Sequence, residues 1–207
     1  MIATILPGSS NFHAVGYNEH KVSQGNAQLL EMKNFGSVGK FGSYTVKELT
    51  DYLQLYSSCN DRIRKSQFHV AISCKGREYS EEELLDFAHR YLDEMGYGQE
   101  GQPVLIYAHR DTDNNHLHII TSRVSPDGRK IDHNHERRHS QQVIAKLMGE
   151  NREETINNDI MNAKEYTFGS LAQFKSILTS IGYEVYEKDG VVNVKKGGMV
   201  QQKIPIA

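Results

Sequence analysis

Residues 67–74 alternate strictly. Phe68, Val70 and Ile72 point one way and His69, Ala71 and Ser73 the other, the period-two pattern of a half-buried strand. Residues 1–6 form a shorter apolar run and predict a first strand, followed by a turn and helix cap at Gly8-Ser9-Ser10. A helix over 11–21 would carry Phe12, Val15 and Tyr17. Residues 26–42 lack a period, and Gly36, Gly39 and Gly42 make that stretch loop-like. Thr45-Val46-Lys47-Glu48 reads as a capping box, continued at helical spacing by Leu49, Tyr52, Leu53 and Tyr56. Ser80-Glu81-Glu82-Glu83 repeats the device, with Leu84, Phe87, Ala88, Tyr91 and Met95 on one stripe and Gly96 as the stop.

Two β-rich runs follow, 103–109 and 116–124, separated by the polar turn 111–115, and they predict an antiparallel hairpin. A polar helix is expected over 136–148, stopped by Gly149, and an amphipathic one over 170–181. Runs 184–187 and 191–195 flank Asp189-Gly190 and predict a terminal hairpin. The tail after Gly198 reads as an edge strand or an unstructured end. Mixed helices and hairpin-paired strands predict an α+β fold with a mainly antiparallel sheet. The chain of 207 residues divides on this reading into a main domain, 1–150, and a small helix-plus-hairpin extension, 151–207.

Composition adds constraints. No apolar run nears the roughly 20 residues that cross a bilayer, and the first residues lack the basic start of a signal peptide, so a cytoplasmic protein without membrane insertion is expected. Cys59 and Cys74 do not form a metal-type cluster. A net charge of −2 gives no overall attraction to nucleic acid, so the distribution matters more than the sum. Acids crowd 78–100, while Arg62, Arg64 and Lys65 precede one strand and Arg123, Arg129, Lys130, Arg137 and Arg138 follow another.

The chemistry concentrates in Tyr107-Ala108-His109-Arg110-Asp111-Thr112-Asp113-Asn114-Asn115-His116-Leu117-His118. Residues two apart on a strand share a face, so His116 and His118 project together, and a hairpin brings His109 beside them. A lone strand histidine is ordinarily a hydrogen-bonded polar residue. Three converging imidazoles instead make a metal site that keeps positions open, as a catalytic centre requires. Nitrogen ligands suit Zn, Mn, Co, Ni or Cu better than Mg. Asp111 and Asp113 lie close enough to orient an imidazole, or serve simply as turn residues.

The block His109-x-Asp111-x4-His116-x-His118 resembles the third motif of plasmid mobilisation relaxases, within the superfamily of endonucleases named for a His-hydrophobic-His pair. Phe68-His69-Val70-Ala71-Ile72-Ser73, with the helix after it, resembles the unit preceding that motif, and Gly8–Phe12 leading to Val15-Gly16-Tyr17 resembles the segment presenting the nucleophilic tyrosine. The resemblance covers roughly residues 1–148. It implies an antiparallel sheet with the histidine strands at its centre and flanking helices. It also implies an enzyme that cuts one strand of single-stranded origin-of-transfer DNA and stays joined to the 5′ phosphate. One divalent ion (Mn, Mg or Zn) would sit on His109, His116 and His118, and accessory mobilisation proteins and a coupling protein would be partners. Tyr17 becomes the nucleophile, with Tyr44, Tyr52 and Tyr56 as rivals; His69 and Asp111 support the site; Arg123, Arg129, Lys130, Arg137 and Arg138 become the candidate phosphate contacts.

Three other readings compete. A rolling-circle replication initiator shares the histidine pair, but its tyrosine normally follows that pair, and residues 128–162 contain none. A metal-stabilised DNA-binding module would favour four ligands over three. A small metallohydrolase or dioxygenase would need an apolar pocket that a sequence does not display.

Overall fold

The computed structural model describes residues 1–39, 43–149, 152–165, 170–196 and 199–205. They divide into two compact units, Met1–Met148 and Gly149–Ala207.

The first unit is built on a five-stranded sheet of β1 (Ile2–Ile5), β2 (Ala27–Lys33), β3 (Gln67–Ser73), β4 (Val104–His109) and β5 (His116–Ser122), in the order β1-β3-β5-β4-β2. Every pairing is antiparallel. The histidine-bearing strands β4 and β5 therefore lie side by side, with β5 in the middle. Helices α1 (His13–Ser23) and α2 (Val46–Ser57) cover one face; α3 (Glu81–Glu94) and α4 (Glu136–Leu147) cover the other.

Strand alternation feeds two cores. Phe68, Val70, Ile72, Leu117 and Ile119 pack with Leu84, Phe87, Tyr91, Val143 and Ile144. Leu105, Tyr107 and Ile120 pack with Phe12, Val15, Leu49 and Leu53. Each fully buried aliphatic or aromatic side chain contributes about 1.5–3 kcal/mol relative to exposure. Both predicted capping boxes form: Thr45 and Glu48 open α2, and Ser80 and Glu83 open α3. Gly96 adopts φ 80° just past α3, where a side chain would be strained.

The structure corrects two expectations here. Residues 27–33 are a strand, β2, rather than loop: its pairing with β4 shifts between Leu29 and Glu31, and that bulge scrambles the alternation. The strand at 67–73 is covered on both faces rather than half-buried, since helices pack on each side of the sheet. Gly42, read as part of the same loop, lies outside the described residues.

The second unit holds α5 (Arg152–Glu165), α6 (Leu171–Ser180) and a three-stranded antiparallel sheet of β6 (Glu184–Lys188), β7 (Val191–Lys196) and β8 (Met199–Pro205). Asp189 and Gly190 both take positive φ, 54° and 71°, as a tight hairpin requires. Ile156, Ile160, Phe174, Leu178, Val192 and Val194 form the core of this unit. Helix α5 has no counterpart in the sequence prediction, and the tail after Gly198 is the edge strand β8.

Candidate metal centre and active site

The register of the β4–β5 hairpin sets His109 directly opposite His116 and Tyr107 opposite His118. Cross-strand partners share a face, so all three histidines emerge on the α1 side of the sheet. One nitrogen from each lies within 4.8 Å of the others, a grouping able to hold a metal ion. Ring centroids are 4.2 Å apart for His109–His118, 5.1 Å for His109–His116 and 5.5 Å for His116–His118. Neutral nitrogen donors on a rigid sheet fit a borderline divalent cation.

Each ring is oriented from behind. His118 Nδ1 lies 2.8 Å from His69 Nε2, across the β3–β5 ladder. His116 Nδ1 lies 3.0 Å from the Asn114 carbonyl oxygen, to which it can donate. The side-chain oxygen of Asn18 accepts from His109 Nε2 at 2.6 Å. Asp111 sits beside His109, with Oδ1 3.8 Å from Nδ1, and its other oxygen accepts from Lys21 Nζ at 2.8 Å. That hydrogen bond holds the Asp111 carboxyl below its ordinary range and Lys21 above its own.

Burial keeps His69, His109 and His118 neutral, the form in which an imidazole binds a metal. Desolvation, then the neighbouring rings His13 and His109, lowers His69 to about 4. Desolvation and His116 lower His109 to about 4. Desolvation, His109, His69 and His116 lower His118 to about 3.

Tyr17 lies over this cluster. Its ring stacks on His109 at 6.1 Å and sits 6.4 Å from His118, and the residue is 50% exposed. Lys21, one turn on, places its ammonium 5.8 Å from the Tyr17 ring centroid. Helix α1 is held down by two residues beyond Asn18's contact: Glu19 accepts from the Tyr107 hydroxyl at 2.7 Å, and Tyr44 reaches the same carboxylate. The rival tyrosines are occupied elsewhere. Tyr44 and Tyr56 are each pushed up to about 12, first by burial, and Tyr52 packs on Phe35.

The basic stretch expected to grip phosphate does not reach the site. Arg123 is buried, with both terminal nitrogens on Glu136 at 2.6 and 2.9 Å and one also on the Tyr97 hydroxyl. Its charge is met inside the protein by the Glu136 carboxylate. Arg129, Lys130 and Arg138 line a cleft of about 770 Å³ with Glu94, Asp127 and His139, and Arg137 faces β1. This cleft lies past the Ser122 end of β5; six steps of about 3.3 Å separate that end from His116 by roughly 20 Å. Three further exposed cations, Arg62, Arg64 and Lys65, lie in the loop entering β3, whose first residue, Gln67, pairs with Ser122. The Lys65 Cβ lies 3.6 Å from where a Cβ on Gly8 would stand, so this loop abuts the lead-in to α1.

Asn18, Glu19 and Lys21 are the site residues that sequence reasoning missed. Helical spacing was the available signal: His13, Tyr17 and Lys21 recur every four residues and so share one face of α1.

A protein-family model described as "Relaxase: MobA/VirD2-like, nuclease domain" matches residues 17–152, a span that starts at Tyr17 and includes all three clustered histidines. No curated protein and no solved structure matches the chain.

Proposed function

The chain belongs to the MobA/VirD2-like relaxases, and from that premise we propose that it nicks one DNA strand at a transfer origin by tyrosine transesterification, for conjugative mobilisation. The observation that carries the reading is the placement of the Tyr17 ring over His109 and His118.

In this mechanism the Tyr17 oxygen attacks phosphorus and forms a 5′-phosphotyrosine, while the bond to the deoxyribose 3′ oxygen breaks and that oxygen takes up a proton. A phenol is a weak nucleophile at neutral pH and needs a positive neighbour. Lys21 supplies one beside the ring, and Asp111 keeps it there. His109, His116 and His118 would hold one divalent ion, Mn, Mg or Zn, whose charge, undiminished by neutral ligands, would offset the charge that develops on the phosphate oxygens. His69 takes the far nitrogen of His118 and fixes its orientation. The phosphotyrosine conserves the energy of the phosphodiester, so the strand can be rejoined without another cofactor. Residues 1–148 carry all of these groups; the second unit serves as an extension with no assigned chemistry.

The test uses single-stranded DNA with a randomised sequence, labelled at the 3′ end, because the covalent product retains that end. With Mn(II) or Mg(II), wild type should yield a labelled protein–DNA adduct on a denaturing gel. Tyr17→Phe should give none while binding the DNA nearly as well, and His116→Ala should lose metal and nicking together. Adduct formed by Tyr17→Phe would move the nucleophile elsewhere, and nicking by metal-free His116→Ala would end the metal assignment.

A further inference from the structure

Asn18 is polar, fully buried and one residue after Tyr17. Its side chain is used at both ends. The Nδ2 group donates to the Ala14 carbonyl one turn back, at 2.7 Å. That bond decides which end of the amide faces the strands, and it is the oxygen, 2.6 Å from His109 Nε2. An amide oxygen accepts and cannot donate, so the nitrogen facing it must carry the hydrogen. A neutral imidazole has a single N–H. The His109 lone pair therefore sits on Nδ1, the nitrogen 3.8 Å from Asp111 Oδ1.

We propose that Asn18 is a positioning residue: its oxygen holds His109 in the Nε2–H tautomer, and the same contact fixes the Tyr17-bearing helix against the histidine-bearing strand. The proposal deepens the reading of the histidines as metal ligands and Tyr17 as nucleophile, and rests on it. One hydrogen bond thus couples the two halves of the site. Tyr17 and Asn18 are about 100° apart around the helix, so one turns toward the open site while the other is buried. A leucine would fill the Asn18 space and offer no acceptor. An aspartate would keep an acceptor there.

The experiment compares wild type, Asn18→Leu and Asn18→Asp as full-length proteins. Long-range proton–nitrogen NMR of metal-free, ¹⁵N-labelled protein near pH 7 reads the His109 tautomer, with His109→Gln identifying the signals. Wild type and Asn18→Asp should carry the proton on Nε2; Asn18→Leu should not hold that form. Mn(II) titrated calorimetrically should bind Asn18→Leu about 10- to 100-fold more weakly than wild type, with Asn18→Asp restoring most of the affinity. The amide spectrum checks that each variant is folded, and if Asn18→Leu is not, Asn18→Ala withdraws the acceptor with a smaller side chain. A wild-type His109 protonated on Nδ1 would overturn the proposal without any variant. So would an acceptor-free folded variant with wild-type tautomer or wild-type Mn(II) affinity. Failure of wild type to bind Mn(II) would instead strike at the metal reading, while the metal-free tautomer would still decide whether the Asn18 contact exists.

Discussion

Arg123 carries a charge where a charge survives only with a partner. Its guanidinium and the Glu136 carboxylate are each about one-tenth exposed and meet end-on through two hydrogen bonds from the terminal nitrogens. Removing one member of such a pair strands the other, at a cost of about 3–5 kcal/mol. Arg123→Ala should therefore lower the unfolding free energy by that amount in urea titrations, while the folded fraction binds DNA as wild type does. Unchanged stability with lost DNA affinity would make Arg123 a DNA contact instead. The charge was legible in the sequence; its partner, thirteen residues on in a different element, was not. The histidines read more easily because period two alone puts His116 and His118 on one face and a hairpin suffices to bring in His109. Asn18 was hidden for the opposite reason: whether a helix position faces a strand histidine depends on how α1 docks, which no local pattern records.

Elements were legible where one face decides the pattern. The two capping boxes and the stripe from Leu84 to Tyr91 gave α2 and α3 nearly to the residue. Strand β2 escaped because a bulge breaks its period, and α5 because its inward residues, Ile156, Ile160 and Ala163, are few against a polar background. The loop between α2 and β3 matters more than its sequence context promised. Arg62, Arg64 and Lys65 are exposed and make no ion pair among the described residues, and the loop enters the strand that carries His69. A cationic track beside the α1 lead-in suits a single strand crossing toward Tyr17. Each phosphate contact to a single strand contributes about 0.7 to the slope of log affinity against log salt. An Arg64→Ala, Lys65→Ala double variant should thus weaken single-stranded DNA binding and lower that slope by about 1.4, read by fluorescence anisotropy across salt concentrations. The pair Arg129→Ala, Arg138→Ala, in the cleft beside α4, should leave it unchanged; the reverse ranking would move the DNA path to that cleft.

At the scale of the whole molecule, the site that would bind metal is also a liability in its absence. His69, His109 and His118 ordinarily titrate near 6.5, and burial holds them near 4, 4 and 3 in the folded protein. Between those values the unfolded chain takes up protons that the folded chain refuses, so falling pH favours unfolding. The histidine contribution is thus neutral above about pH 6.5 and becomes destabilising as the pH drops toward 4. Adjacent buried rings titrate jointly, so the loss should extend across the window rather than step at each histidine. Each proton in excess on the unfolded chain adds about 1.4 kcal/mol per pH unit to the slope. Urea titrations of metal-free protein from pH 7 to 4.5 should therefore show stability declining, and His69→Gln should make the decline shallower by up to one proton's worth. Stability that is flat over this range, or a slope indifferent to His69→Gln, would mean that these rings are not held neutral. A divalent ion should steepen the same dependence, because it binds the neutral imidazoles of the folded state and must compete with protons for them as the pH falls. The sheet can keep the His69, His109 and His118 rings close together at neutral pH because burial holds them uncharged, and acid removes that condition for the fold and for the metal site at once.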